Sequence, residues 1–159
     1  MSCFSSHYAG YKAELLDFLA AKTDQIVAQY IPQCESPIEV MFCEAFACLA
    51  IFVCPNMLHG DDGRTVIIEP QKKHRNYRLD FLITMKDGET TRSVAVECDG
   101  HDYHERTKEQ ARRDKSRDRI LALDGLTTLR FTGSEIHADA VECAEQVLNY
   151  LIQEIKGAR

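Results

Sequence analysis

The chain has 159 residues, 45% of them hydrophobic and 28% charged, which is the composition of an ordinary globular protein and excludes an intrinsically disordered one. No apolar run reaches the roughly 20 residues that a transmembrane helix requires, and the first residues lack the basic and apolar stretches of a secretory signal. We therefore expect one cytoplasmic domain without membrane contact. Within it, residues 1–35 should form a helical extension, residues 36–136 the core and residues 137–159 a C-terminal helix.

The net charge of −6 is distributed unevenly along the chain. Residues 71–119 carry 13 Lys or Arg and 10 Asp or Glu, whereas residues 1–70 carry 3 and 9, and residues 120–159 carry 3 and 6. Local charge matters more than total charge for contact with phosphate groups. The middle segment is therefore the candidate for binding an anionic partner, although a solvated charged surface would give the same pattern.

Seven cysteines occur in the chain, and no two of them form a Cys-x-x-Cys pair. An odd count without such a pair argues against both a disulfide framework and a zinc knuckle. Most of the cysteines have apolar neighbours in sequence. We therefore expect all seven to be reduced and buried, where a thiol packs as a small apolar group.

The spacing of apolar residues predicts two helices before the first strand. Apolar residues between Tyr11 and Tyr30 recur at helical intervals. A second helix is predicted to open at Ser36-Pro37-Ile38-Glu39. In that segment Ser fits the N-cap, Pro the first helical position and Glu the capping-box position.

Three strands, a charged helix, a fourth strand and a last helix are predicted to follow. The strands are predicted over Thr65–Gln71, Tyr77–Thr84, Ser93–Asp99 and Thr127–Thr132. The charged helix is predicted over Tyr103–Asp124, and the last helix from Ser134 onward with one continuous apolar face. The order α-α-β-β-β-α-β-α predicts an α/β fold with a central mixed four-stranded sheet flanked by helices.

Three acidic residues are predicted to meet on one face of this sheet. Side chains alternate along a strand, so Glu97 and Asp99 point the same way, and in a hairpin Asp80 of the preceding strand can lie across from them. The other face of the Asp80 strand is predicted to carry Leu79, Phe81 and Ile83. Three carboxylates in one place repel each other unless a cation joins them, and hard oxygen ligands suit Mg²⁺ or Mn²⁺. The alternative is that these acids are solvated at a sheet edge.

The motifs around these acids resemble those of the PD-(D/E)XK nucleases. Residues 77–83, Tyr-Arg-Leu-Asp-Phe-Leu-Ile, resemble the strand that bears the first metal aspartate, and residues 94–99, Val-Ala-Val-Glu-Cys-Asp, resemble the strand of the (D/E)-x-K pair. Within that class the chain is most similar to the very-short-patch-repair endonucleases and their small relatives. Their Asp-Gly-x-x-aromatic-His signature is matched by Asp99-Gly100-His101-Asp102-Tyr103-His104. Their charged helix, Gly and Leu-Arg-Phe strand are matched by residues 113–119, Gly125 and residues 129–131.

The resemblance implies a restriction-endonuclease-like core and an endodeoxyribonuclease that depends on Mg²⁺ or Mn²⁺ and acts in DNA repair. DNA is then the preferred partner and RNA the second candidate. The patch-repair enzymes bind a structural zinc through Cys and His near their motif, but no Cys cluster stands there in this chain, so no structural zinc is expected. The alternative is a nuclease-fold module that has lost catalysis and binds DNA or RNA.

The resemblance also implies roles for individual residues. Asp80, Glu97 and Asp99 would hold the metal ion. The lysine of the class has no counterpart, because Asp99 stands two residues after Glu97. His101 or His104 would therefore act as general acid or base, as histidine does in the patch-repair branch. Glu39 would position a water, although its place in a capping box explains it equally well.

Two groups of basic residues are predicted to contact nucleic acid. The first is a stripe along the charged helix with spacing i, i+4, i+7 and i+11, formed by Lys108, Arg112, Lys115 and Arg119. The second precedes and enters the Asp80 strand and consists of Lys72, Lys73, Arg75 and Arg78. The alternative is a surface helix whose stripe is neutralised by Asp114 and Asp118, which would favour a protein that does not bind nucleic acid.

Overall fold

The computed structural model of the protein describes residues 17, 20–25, 27–53, 64–100 and 108–158. Residues 20–25 and 27–30 are helical and form α1. The other elements are α2 (Pro37–Val53), β1 (Arg64–His74), β2 (Tyr77–Asp87), β3 (Thr90–Asp99), α3 (Lys108–Leu123), β4 (Thr127–Thr132) and α4 (Gly133–Gly157). The predicted order of elements is confirmed. The predicted starts of the first helix at Tyr11 and of the charged helix at Tyr103 lie outside the described residues.

The four strands form one mixed sheet in the order β1-β2-β3-β4. The first two pairings are antiparallel and the third, between β3 and β4, is parallel. The loop between β2 and β3 has two residues, because Asp87 pairs with Thr90, and Gly88 within it has a φ of 58°. A left-handed residue in a two-residue loop matches the twist of the flanking strands. The predicted α/β architecture, a restriction-endonuclease-like core with a mixed sheet flanked by helices, is therefore confirmed.

Phe42 of α2 lies at the centre of the larger hydrophobic core. Its ring centroid is 6.0 Å from that of Phe46, 5.4 Å from that of Phe81 and 6.0 Å from that of Phe131. All four rings are buried, and helices α2 and α4 pack against each other over the same face of the sheet. Replacing a buried ring of this kind by Ala costs about 3–5 kcal/mol of stability. This core fixes the helix whose first turn carries Glu39. None of the described helices is long and apolar enough to cross a membrane.

A second, smaller cluster lies under α3 and contains Leu79, Ala95, Leu121 and Leu126. The prediction that Leu79 shares a face with Phe81 and Ile83 is therefore wrong, because those two residues belong to the larger core. The physical reason is an irregularity of the sheet beside Leu79, whose partner Lys72 directly follows Gln71 in β1. Pairing of β2 with β3 ends at Phe81, and Gln71 in β1 has a φ of 50°, which regular strand backbone does not adopt.

Helix α4 departs from its prediction in the second turn. Asp139 has a φ of −159° and a ψ of 90°, so the helix is interrupted there and is not continuous from Ser134. The Oδ1 atom of Asp139 accepts a hydrogen bond of 2.9 Å from the backbone N–H of Glu142, as an N-cap does. The break separates a first turn, capped by Thr132, from the long apolar segment that packs on α2.

The expectation that the cysteines are buried is only partly correct. Cys43, Cys98 and Cys143 are buried free thiols, whereas Cys34 and Cys48 are half-buried free thiols. Burial, assisted by the charge of Glu39, raises the pKa of Cys34 to about 11. That residue therefore stays protonated at neutral pH and is a poor nucleophile. Cys3 and Cys54 lie outside the described residues.

Candidate functional site

Four residues, one from each strand, occupy one row across the sheet. The register of β1 and β2 pairs Pro70 with Phe81 and Lys72 with Leu79, so Gln71 and Asp80 stand at the level between these two pairs. The last pair of β2 and β3 at this end is Phe81 with Val96. Asp80 and Glu97 are the next residues beyond that pair, where the two strands separate. Glu97 is in turn the partner of Arg130 in β4. The row brings two of the predicted metal ligands together at the point where the sheet opens.

Asp80 is held at this opening by the backbone of the neighbouring strand. Its Oδ2 atom accepts a hydrogen bond of 2.7 Å from the N–H of Cys98. Burial raises the pKa of Asp80, the hydrogen bond from Cys98 lowers it, and the negative charge of Glu39 raises it. The net result is a raised pKa, which is the usual consequence of carboxylates that share a poorly hydrated site.

Glu97 is a buried carboxylate that bonds to a cation through one of its oxygens. Its Oε2 atom lies 3.0 Å from Nη2 of Arg117 in α3. Its Oε1 atom is buried and has no hydrogen-bond partner. Burial raises the pKa of Glu97 to about 7; Arg117 opposes this shift and Asp80 adds to it. An acid with this pKa is only partly ionised at neutral pH until a further positive charge is supplied.

Asp99 is paired with a strand arginine that also contacts α3. Nη1 of Arg130 lies 3.6 Å from Oδ2 of Asp99, and Nη2 of Arg130 donates a hydrogen bond of 2.7 Å to Oδ1 of Asp118. Asp118 thus bonds to the sheet and not to the basic stripe of its own helix. Together with the bond between Arg117 and Glu97, this pairing fixes α3 over the acidic end of β3.

Glu39 is buried at the first turn of α2 and accepts three hydrogen bonds. They come from the Ser36 hydroxyl at 2.8 Å, the Glu35 N–H at 2.9 Å and the Gln71 side-chain amide at 2.7 Å. The N–H of Glu39 donates to the Ser36 hydroxyl at 3.3 Å, as in the predicted capping box, but the return bond goes to Glu35. Helix capping therefore explains only part of the environment of Glu39, because the bond to Gln71 joins the helix to the sheet.

Gln71 combines an unusual backbone with an unsatisfied side chain. Its φ of 50° lies in the left-handed region, although Gln71 is within a strand and is not a glycine. Its Nε2 atom donates to Glu39, and its Oε1 atom is buried without a hydrogen-bond partner. Strained backbone and unsatisfied buried oxygens are both concentrated at functional sites.

The donors at this site suit a divalent cation, but they are not gathered around one. Within the described ranges, no group of three or more His, Cys, Asp or Glu side chains lies close enough to hold a metal ion. Arginines and a backbone N–H hold their oxygens instead. Two of the buried oxygens without hydrogen-bond partners, Oε1 of Glu97 and Oε1 of Gln71, are hard donors that a divalent ion or a water on it would satisfy. The residues present therefore fit such an ion.

The predicted histidines lie outside the part of the chain that the structure describes. His101 and His104 belong to residues 101–107, which directly follow the end of β3. Their assignment as general acid or base therefore stays a prediction. In sequence, His101 stands two residues and His104 five residues after Asp99, the last residue of β3.

The basic stripe on α3 is exposed where it is described. Arg112, Lys115 and Arg119 face solvent, and among the described residues none of the three forms an ion pair. The side chain of Lys108 lies outside the described residues. Asp118, which could have neutralised the stripe, is bonded to Arg130. The hypothesis of a protein that does not bind nucleic acid assumed that Asp118 neutralises the stripe. Asp118 does not do so, because it bonds to Arg130.

The second basic group is largely paired with nearby acids. Lys72 bonds to Glu69, Arg75 bonds to Asp124, and Arg78 donates to both oxygens of Glu35 at 2.7 and 2.6 Å. Lys73 is exposed. This group consequently offers less net positive charge than its sequence suggests.

Arg117 and Arg130 were not among the predicted site residues. Arg130 entered the sequence argument only as part of the Leu-Arg-Phe strand, and Arg117 lies outside the i, i+4, i+7 stripe. The sequence nevertheless contained a signal that Arg117 faces the sheet. Arg117 stands four residues before Leu121, the apolar residue by which α3 packs on the sheet, so both residues share the inner face of the helix.

One comparison with known proteins gives a match. The family model REase_MTES_1575 matches residues 61–151, which are 91 of the 159 residues. The matched range contains β1 to β4 and α3, and with them Asp80, Glu97 and Asp99, whereas Glu39 precedes it. No curated protein and no solved structure gives a significant match to the chain.

Proposed function

The chain belongs to the restriction endonuclease-like family REase_MTES_1575, and we propose that it is a metal-dependent endonuclease that hydrolyses phosphodiester bonds in DNA. The observation that carries this proposal is the state of Glu97. Glu97 is a buried carboxylate that lies beside Asp80. One of its oxygens bonds to the guanidinium of Arg117, and the other has no hydrogen-bond partner and can accept a second cation. Most buried carboxylate oxygens in native structures have a hydrogen-bond partner, and a bound ion or water is one of the usual reasons for an exception.

Asp80, Glu97 and Asp99 would hold Mg²⁺, or Mn²⁺ in its place. A bound divalent ion neutralises charge on a phosphate oxygen and acidifies a water. Glu39 is fixed by three hydrogen bonds and would orient a water, with Gln71 holding Glu39 in place. The protein thereby contributes fixed donors that need little rearrangement when the substrate binds.

Proton transfer is assigned to a histidine. Asp99 stands in the lysine position of the strand and is paired with Arg130, so β3 carries no basic group there. His104, with His101 as the second candidate, follows β3 directly and has the side chain whose usual pKa suits proton transfer at neutral pH.

DNA would be held mainly by the stripe on α3. Exposed Arg112, Lys115 and Arg119, together with Lys108, can bind successive phosphates without reading the bases. Lys73 and the paired cations of the hairpin would add a smaller contribution. The preference for DNA over RNA, and a role in repair, rest on the resemblance to the patch-repair enzymes.

A second candidate function is a nuclease-fold module that binds DNA or RNA without cleaving it. The observation in its favour is that arginines already balance Glu97 and Asp99, so the acids are satisfied in part without a metal ion. Metal titration separates the two functions, because a binding module has no need to take up Mg²⁺.

The deciding experiment is incubation of the purified protein with supercoiled, linear and mismatched DNA and with RNA, each with Mg²⁺, Mn²⁺ or a chelator. Cleavage that requires a metal ion is expected, and Asp80→Asn and Glu97→Gln should each abolish it while the protein stays folded. Full activity in either variant would show that the site is assigned wrongly. Nucleic-acid binding without cleavage or Mg²⁺ uptake would instead establish the binding module.

A further inference from the structure

Arg117 is the cation that α3 places against the acidic end of β3. Its Nη2 atom is 3.0 Å from Oε2 of Glu97, and only 18% of the Arg117 side chain and 5% of the Glu97 side chain are exposed. The Nε atom of Arg117 is buried as well. A guanidinium enclosed to this extent is held in one orientation, unlike the solvated arginines of the same helix.

The location of Arg117 follows from the rotation of α3 about its axis. Leu121, four residues later, is fully buried against Leu79 and Ala95, whereas Arg113, four residues earlier, is exposed. Among the described side chains of α3, this face of the helix is therefore buried at Leu121 and exposed at Arg113. Arg117 lies between these two positions, one turn before Leu121, and its side chain reaches Glu97.

We propose that Arg117 is a positioning residue of the metal site and supplies the positive charge that the lysine position of β3 lacks; this inference rests on the proposed endonuclease function. Position 99 holds an acid, so a cation beside Glu97 must come from another element. Arg117 holds Oε2 of Glu97, and Oε1, which is buried without a hydrogen-bond partner, would be left to bind a divalent ion. An arginine stays protonated at neutral pH, so its role is charge and geometry and not proton transfer.

The simpler alternative is that the pair only joins α3 to the sheet. A buried ion pair adds little to stability over well-packed apolar residues, although loss of one partner is costly. The two roles differ in their effect on metal binding. A structural pair, when broken, loosens the site and weakens cation binding. If Arg117 is instead a positioning residue, its removal should strengthen cation binding. The positive charge of Arg117 repels the divalent ion, and over a few ångströms the loss of this repulsion outweighs the added freedom of Glu97.

The test compares Arg117→Gln, Arg117→Lys and, as a matched control, Arg113→Gln, which removes the same charge from an exposed position of the same helix. Ca²⁺ binding to the full chain without substrate is measured by calorimetry, and single-turnover cleavage is measured at saturating Mg²⁺. Arg117→Gln should bind Ca²⁺ about fivefold more tightly or better, and it should cleave about 30-fold more slowly or worse. Arg117→Lys should restore both values to within about twofold of the wild type, and Arg113→Gln should match the wild type.

Wild-type cleavage by Arg117→Gln, or weaker Ca²⁺ binding by a folded Arg117→Gln, would overturn the inference. If Arg117→Gln does not fold, Arg117→Lys decides: Ca²⁺ affinity within twofold of the wild type supports the role, and a weaker affinity refutes it. A wild-type protein that cleaves no substrate would contradict the endonuclease proposal alone, because Ca²⁺ binding still tests Arg117.

Discussion

Nε2 of Gln71 donates a hydrogen bond of 2.7 Å to Oε2 of Glu39, and this bond links the only described strand residue of β1 with positive φ to the first turn of α2. The two residues are 32 positions apart in the chain. The bond therefore couples the kink in the hairpin to a buried carboxylate at the edge of the acidic site. The unusual backbone of Gln71 thus stands where its side chain bonds to Glu39, as strained residues do at many functional sites.

Two substitutions of Gln71 separate the effect of its backbone strain from the effect of losing its side chain. Gln71→Ala and Gln71→Gly both remove the carboxamide, but only alanine keeps a Cβ at a φ of 50°. We expect the glycine variant to be more stable than the alanine variant by about 1 kcal/mol. Both should cleave at least about tenfold more slowly than the wild type, because Glu39 loses its donor. Urea unfolding and single-turnover cleavage measure the two effects, and equal stability of the variants would show that the backbone is not strained.

The raised pKa of Glu97 predicts how the stability of the metal-free protein depends on pH. Burial raises this pKa from 4.5 to about 7, so between these values the folded state binds more protons than the unfolded state. Stability from this group is therefore present at low pH and is lost as pH rises through that window. Glu97→Gln mimics the protonated acid and does not titrate. In chelator, its stability relative to the wild type should rise between pH 5 and pH 8 by up to about 3 kcal/mol. Parallel pH profiles of the two proteins would contradict this prediction.

The two basic groups should contribute unequally to DNA binding. Replacing Lys108, Arg112 and Lys115 together by Gln should weaken binding irrespective of sequence and reduce the slope of log K against log salt by about 2 to 3. The matched variant replaces Lys72, Arg75 and Arg78, whose charges are paired with acids. It should reduce the slope by less than about 1. A larger change in the second variant would place the main phosphate contact on the hairpin.

The fold and the acids of the site were predictable because both depend on local periodicity. Alternation along β3 places Val94, Val96 and Cys98 in the larger core and leaves Glu97 and Asp99 on the other side of the sheet. This information is contained in six consecutive residues. The strand positions of the acids follow from it without knowledge of the tertiary structure.

The cations of the site were not predictable in the same way. The pairing of Arg117 with Glu97 depends on how α3 is rotated over the sheet, and the pairing of Arg78 with Glu35 joins positions 43 apart. Long-range contacts of this kind leave no periodic trace in one sequence. The same is true of Leu79, whose placement in the smaller cluster follows from the irregularity of the sheet beside it.

The last prediction is that His104 contributes more to turnover than to metal or DNA affinity. Among the described residues of the site, Asp99 is paired with Arg130, Arg117 does not release its proton at neutral pH, and a divalent ion bound to Glu97 would keep that acid ionised and make it a poor base. His104→Ala should therefore slow single-turnover cleavage by about 100-fold or more, as removal of a positioned acid or base typically does. DNA affinity in Ca²⁺ should change less than about twofold, since the stripe on α3 is intact. His101→Ala is the matched comparison, and a slow His101→Ala beside a normal His104→Ala would move the role to His101. Normal cleavage by both variants would rule out histidine, and a metal-bound water acting without a protein base would then be the better mechanism.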